Sequence, residues 1–334
     1  MPARGAPWLA WLAALRAWLF LAGLAIFFEC WARFAYGTTF FGNPFNLQSI
    51  AVFAVAPLLL ALGQTFVIIS GGIDLSVGFT MGFAAVIVAH VANAAGNAFG
   101  PVAGFVIAIL VTLPASALPG LINGWLVARL GIPPFIGTLG MYGVARGTAF
   151  LIAGGTSVPV SNPLLAALGS NSLLGVPLVV LVTAVVVLAM HYLLSETRYG
   201  QYTYAIGGNR EAALRAGIRV GRMTLLLYVL SSACAGIGGI LYTARFTAGA
   251  AQAGEPLLLD SIAAVVIGGA SLFGGSGTVM CTVIGALIIA VIQYGLVFVD
   301  VEPFWQFIAV GIVIIISVLV DQSQKRLVRR PRHG

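Results

Sequence analysis

Long apolar runs alternate along the chain with short polar interruptions, and the lengths of those runs set the architecture. A helix needs about 20 predominantly apolar residues to cross the hydrocarbon core of a bilayer. Ten stretches approach that length, near 8–30, 48–70, 75–95, 101–128, 133–154, 172–194, 222–245, 257–273, 276–298 and 303–321. The third, fifth, eighth and ninth are diluted by glycine and polar residues, which predicts broken or re-entrant helices among them. The pattern predicts an all-α fold: a polytopic transmembrane helical bundle of about ten spans, forming a single domain over residues 1–334. Arg16 interrupts the first run and no clear A-x-A step follows, so that run reads as a retained span and not as a removable leader.

Composition sharpens this. Hydrophobic residues make up 60% of the chain and charged residues 7%, with a mean hydropathy of +1.06. Soluble domains carry roughly 45–50% and about 25%, so the solvent for most of this chain is lipid. The net charge of +7 would suggest nucleic acid in a soluble protein. Here the basic residues flank apolar spans and act as orientation signals instead. With the N-terminus inside, one side collects Arg4, Arg129, Arg198, Arg210, Arg215, Arg219, Arg222, Lys325, Arg326, Arg329, Arg330 and Arg332. The other side holds only Arg33 and Arg245, together with the acids Glu255, Asp300 and Glu302. The positive-inside rule therefore predicts that both termini are cytoplasmic, with a basic tail over 322–334.

Some chemistry is absent from the sequence. A P-loop needs G-x-x-x-x-G-K-[ST], and the single lysine, Lys325, lies in SQKR with no glycine loop before it. ATP hydrolysis, if the chain depends on it, falls to another subunit. His90, His191 and His333 are isolated, and Cys30, Cys234 and Cys281 show no paired spacing. Neither a metal site nor a catalytic triad is predicted, and the cysteines read as small packing residues.

Two polar segments stand out. The first is 196–222, ETRYGQYTYAIGGNREAALRAGIRVGR, a basic loop between two apolar runs. Gly207 and Gly208 break the chain, Asn209 is a natural N-cap, and Gly217 closes a helix over Arg210–Ala216. Glu211 and Arg215 are spaced i,i+4 for a weak ion pair. Such a helix carries Ala212, Ala213, Leu214 and Ala216 on a small apolar face with nothing of its own to cover it, which suits docking into a partner's cleft.

The second is SGGIDLSVG, 70–78, an acid among glycines inside an apolar region. Gly71 and Gly72 permit a helix break, and Asp74 with Ser76 can cap the restarted helix. Asp74 is read chiefly as an anchor shaping a polar conduit, with direct hydroxyl binding as the rival role. IGGASLFGG, 267–275, shares GG-x-x-L-x-x-G with it, and Asp260 opens the eighth span where it could cap in the same way. Gln64, Asn123, Thr138 and Gln293 are further polar residues inside spans and candidates for the pathway lining, the alternative for each being an interhelical hydrogen bond.

These segments resemble a known family. GQTFVIISGGIDLSVG, GLINGWLVARLGIPPFIGTLGM (120–141) and LDSIAAVVIGGASLFGGSGTV (259–279), with the 196–222 loop, are similar in order to the ribose/xylose/arabinose/galactoside permeases, the membrane subunits of bacterial monosaccharide ATP-binding-cassette (ABC) importers. SSACAGIGG (231–239) departs from that pattern with Ser232 in place of a glycine. The resemblance implies an inner-membrane permease that translocates a monosaccharide by alternating access. It implies a second permease copy or paralogue, a cytoplasmic ABC ATPase holding ATP and Mg, and a periplasmic sugar-binding protein. No cofactor is implied on this chain, and the partners include lipid but no nucleic acid. Gly208, Asn209, Glu211 and Arg215, with Arg210, Leu214 and Gly217 completing the helix, would then couple the chain to the ATPase. An ion-gradient transporter or channel working through Asp74 and Asp260 is the alternative, and a receptor that transports nothing is a third class.

Overall fold

A computed structural model describes residues 7–302 and 304–329. The expected basic positions Arg4, Arg330 and Arg332 lie outside the described residues. The chain folds as a helical bundle in which eight helices are long and apolar enough to cross a membrane, among the described residues. They belong to α1 (Pro7–Tyr36), α2 (Pro44–Ile69), α3 (Val77–Phe99), α4 (Pro101–Arg129), α5 (Pro134–Ala153), α7 (Leu178–Ser195), α10 (Val220–Phe246) and α12 (Val279–Phe298). The remaining two expected spans are helical too. One is the half-length α11 (Leu257–Gly268), and the other is α13 (Phe304–Arg329), which runs on through much of the basic tail.

α2 is the axis of the bundle. Its residues from Leu58 to Ile69 are all buried, and α7, α10, α11 and α12 surround it. The helices approach closely because small residues face one another, which is how packing replaces the hydrophobic effect inside lipid. A Cβ at Gly63 of α2 would lie 2.7 Å from the Cα of Ser231 in α10. Large apolar side chains face outward toward lipid instead, among them Leu151 on α5 and Val185 and Leu188 on α7.

Three elements escape the hydrophobic pattern. The expected 172–194 span begins six residues late, because Ser172–Leu173 (β2) and Val176–Pro177 (β3) pair as a minimal hairpin before α7. A short helix, α6 (Pro163–Ser170), precedes it and is capped by Asn162, whose side chain accepts from the N–H groups of Leu164 and Leu165. The third is α8 (Arg198–Gly208), eleven residues of the polar loop where no helix was expected. Tertiary contact holds it: Thr203 and Ile206 are buried, and Gly200 sits against the Leu194 carbonyl with no room for a side chain.

The segment between α10 and α11 descends into the bundle. β4 (Ala248–Gly249) pairs with β1 (Val158–Pro159), and residues 249–254 then run back along α3. A Cβ at Gly249 would strike the Ala85 carbonyl, one at Gly82 the Ala251 carbonyl, and one at Gly78 would lie 2.7 Å from the Gly254 carbonyl oxygen. About two turns of α3 thus carry an irregular segment, and α11 starts at the depth where α3 itself begins. Irregular backbone at this depth is tolerated where protein covers it or where it lines a cavity.

Candidate functional site

The break between α2 and α3 is built by two devices. Ser70 caps α2, Gly71 turns left-handed at φ +83°, and the N–H groups of Gly71 and Gly72 donate to the carbonyls of Ile68 and Val67 at 2.9 Å each. This is a glycine-terminated helix end whose last carbonyls are satisfied locally. Asp74 then occupies the centre of a fully buried polar cluster. Its Oδ1 accepts from the Ser76 N–H at 3.0 Å and from the Ser76 hydroxyl at 2.6 Å, and its Oδ2 accepts from the Ser231 hydroxyl of α10 at 2.9 Å. The Asn123 amide of α4 donates to the Ser76 hydroxyl at 2.9 Å, the Gln64 amide of α2 donates to the Asp74 carbonyl, and the Tyr228 hydroxyl donates to the Ile73 carbonyl at 3.3 Å. The cluster around this carboxylate therefore ties the break to α2, α4 and α10.

Ser76 takes a different part from the expected one. It sits at the N-cap of α3, yet its hydroxyl faces Asp74 and Asn123 and caps no backbone N–H; the capping contact within this turn is Asp74 to Ser76. Gln64 and Asn123 are occupied in the same cluster, and Thr138 donates within its own helix to Pro134 at 2.9 Å. Ser231 and Tyr228, which complete the cluster, are invisible to sequence reasoning because each looks like one more polar residue in a small-residue helix.

The polar loop forms α8 and then α9 (Arg210–Arg215), with Asn209 between them accepting from the Ala212 N–H at 3.0 Å. Gly217 ends α9 at φ +82°, just beyond Ala216, which occupies the cap. Glu211 and Arg215 approach to 3.5 Å and are more than four-fifths exposed, so their mutual attraction is slight. The apolar face is less solitary than the sequence suggested. Ala213 is buried with Ile206, Val220 and Met223, while Ala212, Leu214 and Ala216 are left exposed.

Both echoing glycine motifs meet this loop. α11 ends at Gly269 (φ +112°) with the N–H groups of Gly269 and Ala270 donating to Val266 and Val265, the same closure that ends α2. Gly275 then donates its N–H to the Ile69 carbonyl at 2.8 Å. A Cβ at Gly274 would lie 3.1 Å from the Cα of both Gly71 and Gly207, and one at Gly207 would collide with the Ile69 carbonyl. Tyr204 of α8 donates its hydroxyl to the Gly277 carbonyl at 2.6 Å. Burial and the nearby Cys281 thiol raise the Tyr204 phenol above its ordinary pKa, which keeps it a donor. The end of α8 is thus seated against both helix breaks at once.

A cavity of about 450 Å³ opens on the far side of α2 from these contacts. Val52, Phe53, Ala56 and Pro57 of α2, Tyr242, Arg245 and Phe246 of α10, and the irregular residues Gln252 to Pro256 form its walls. Asp260, Gln293, Gln306 and Phe307 complete it from α11, α12 and α13. Asp260 does not cap α11: Pro256 holds that position, and the Asp260 carboxylate, one turn in, accepts from the Gln293 amide at 2.8 Å. The sequence marked Asp260 and Gln293 but not Arg245, Gln252 or Gln306, which reach the cavity from separate segments.

A family profile described as the permease component of branched-chain amino acid transport systems matches residues 46–318. The chain belongs to this family. Among its permease relatives, a probable ABC transporter permease of Sinorhizobium fredii is 39% identical over 84% of this chain and 82% of its own length. The ribose import permease of Escherichia coli K12 is 36% identical over 85% and 86%, and the galactofuranose transporter permease of the same strain is 40% identical over 85% and 81%. No solved structure matches the chain. With eight membrane-length helices, this permease component is a multi-pass protein of the bacterial inner membrane.

Proposed function

We propose that this chain is the membrane-spanning subunit of an ABC importer that moves a monosaccharide inward by alternating access, with ATP hydrolysed on a separate cytoplasmic ATPase. The relatives named for ribose import and galactofuranose transport support a sugar as cargo. A second permease copy or paralogue and a periplasmic sugar-binding protein complete the assembly. The end of the bundle holding α8 and α9 faces the cytoplasm, in keeping with the basic residues gathered there.

One observation carries the coupling role. α9 is exposed and offers Leu214 and a charged pair to a partner, while the helix before it is seated on the glycine ends of α2 and α11. A force on α9 therefore reaches two discontinuous spans through a few backbone contacts. Broken helices flanking a cavity are the elements that move in many transporters.

The test replaces residues 209–217 with a Gly/Ser linker in the chain reconstituted with its ATPase and binding protein. ATP-coupled uptake is expected to vanish while assembly in the membrane persists. Normal uptake by that variant refutes the coupling role, and uphill accumulation by the chain alone under a proton or sodium gradient replaces the importer reading with a secondary transporter.

A further inference from the structure

The chain itself holds a place for its cargo. We infer that the cavity beside α11 is a binding site for one uncharged monosaccharide, with Asp260 and Gln293 reading its hydroxyls. The inference rests on the importer reading and adds the site that reading lacks.

Position comes first. Residues 52–57 of α2 line the cavity, and at 1.5 Å per residue they lie about 12 to 20 Å along the helix from its Pro44 end. That is the middle of the bundle, where an apolar wall would be the default. The volume falls within the roughly 300–1,000 Å³ of small-molecule sites. The wall is also where the chain abandons regular structure, since Gln252, Ala253, Glu255 and Pro256 and the first turn of α11 form one side of it. Freed backbone groups at such depth face a cavity or protein, and half-helices of this kind border transport sites.

Chemistry selects the ligand. Asp260 is 6% exposed, and among the described residues its only hydrogen bond is from Gln293 to Oδ2, which leaves Oδ1 without a protein donor. That oxygen is open to the cavity, where a carboxylate accepts an O–H or N–H from whatever enters. Gln252, Gln293 and Gln306 each donate and accept, the versatility a ring of hydroxyls demands. An anion would meet Asp260 and Glu255 together, and Glu255 already has Arg146 at 3.9 Å and the Tyr142 hydroxyl at 3.3 Å. Phe53, Tyr242 and Phe307 supply apolar surface for the C–H face of a sugar ring. An amino acid zwitterion would find Arg245 for its carboxylate and the open Asp260 Oδ1 for its ammonium, so L-leucine is the rival ligand that binding must separate from a sugar.

Saturation-transfer NMR on the full chain in nanodiscs tests the site, with D-ribose, D-fructose, D-galactose and L-leucine as separate probes. Transfer is expected to at least one of the three sugars and not to L-leucine. Asp260→Asn and Gln293→Leu are each expected to weaken that sugar's binding by about tenfold, while the glycine-lined end of the bundle, reported by a Tyr204→Phe variant, leaves it unchanged. Absence of transfer to all three sugars, preferential transfer to L-leucine, or binding indifferent to both cavity variants overturns the site. If the complete complex still takes up sugar when the site fails this test, the importer reading stands and only the cavity assignment falls.

Discussion

Tyr204 on the polar loop donates its hydroxyl to the carbonyl of Gly277, 73 residues away and just before α12, at 2.6 Å. The loop is therefore bolted to the turn between α11 and α12 and does not hang free below the bundle. Removing that hydroxyl costs a bond worth about 1 kcal/mol, a modest loss of stability. Gly207→Ala is the harsher change, because its methyl would meet the Ile69 carbonyl. In proteoliposomes holding the complete complex, Tyr204→Phe is expected to lower uptake per ATP hydrolysed severalfold, and Gly207→Ala to abolish uptake while hydrolysis continues. Equal ratios of uptake to hydrolysis in wild type and both variants would show that the contact transmits nothing.

The hydrogen bonds to Asp74 predict a part in stability. Asp74→Ala strands the hydroxyl of Ser231 and the hydroxyl and N–H of Ser76 in a dry interior, at about 1–3 kcal/mol for each group left unpaired. A marked fall in the detergent melting temperature is expected, with a smaller fall for Asp74→Asn, which keeps one acceptor oxygen. A melting curve for Asp74→Ala that overlays the wild type would contradict the hydrogen-bond assignment.

Glu211 and Arg215 separate stability from activity. An exposed i,i+4 pair on a helix is worth about 0.3–0.5 kcal/mol, so Glu211→Ala and Arg215→Ala are expected to leave the melting temperature within error. Their ATP-coupled uptake is expected to fall at least about tenfold, a change of roughly 1.4 kcal/mol in the coupling step. Co-purification of the ATPase with each variant checks whether the loss lies in docking.

Glycine positions divide by their surroundings. At Gly285 on α12 a Cβ would collide with the Ala264 carbonyl of α11, whereas at Gly143 on α5 it would meet nothing within 4 Å. Gly285→Val is expected to displace α11 and to leave little folded protein in the membrane. Gly143→Ala is expected to be neutral or to stabilise by about 0.5–1 kcal/mol, the usual gain from replacing glycine in a helix. Fluorescence-detected size-exclusion chromatography distinguishes the two.

Much of this was legible in the chain. Run lengths located the eight membrane-length helices of the described residues, since the hydrocarbon thickness imposes the length that α2, α4 and α10 display. Glycine chemistry located the ends at Gly71 and Gly217, because a left-handed residue is needed there and few others tolerate it. α8 escaped because RYGQYTYAIGG combines three glycines with weak helix formers; its helicity depends on packing against residues outside its own sequence. Asp260 was misjudged as a cap because an acid near a helix start looks the same in a string whether it bonds its own backbone or Gln293 across to α12. The cavity was beyond reach for a simpler reason. Its polar groups come from five segments that only the fold brings together.

The twelve residues of α11 have a consequence for how the chain is made. At 1.5 Å per residue the helix is about 18 Å long, well short of a hydrocarbon layer about 30 Å thick. Nothing in its length lets it partition into lipid by itself when it leaves the ribosome. It settles against α2, and α12 must arrive to close over it. Biogenesis of this membrane protein is therefore expected to include a folding step inside the bilayer, one that sets a wall of the cavity in place.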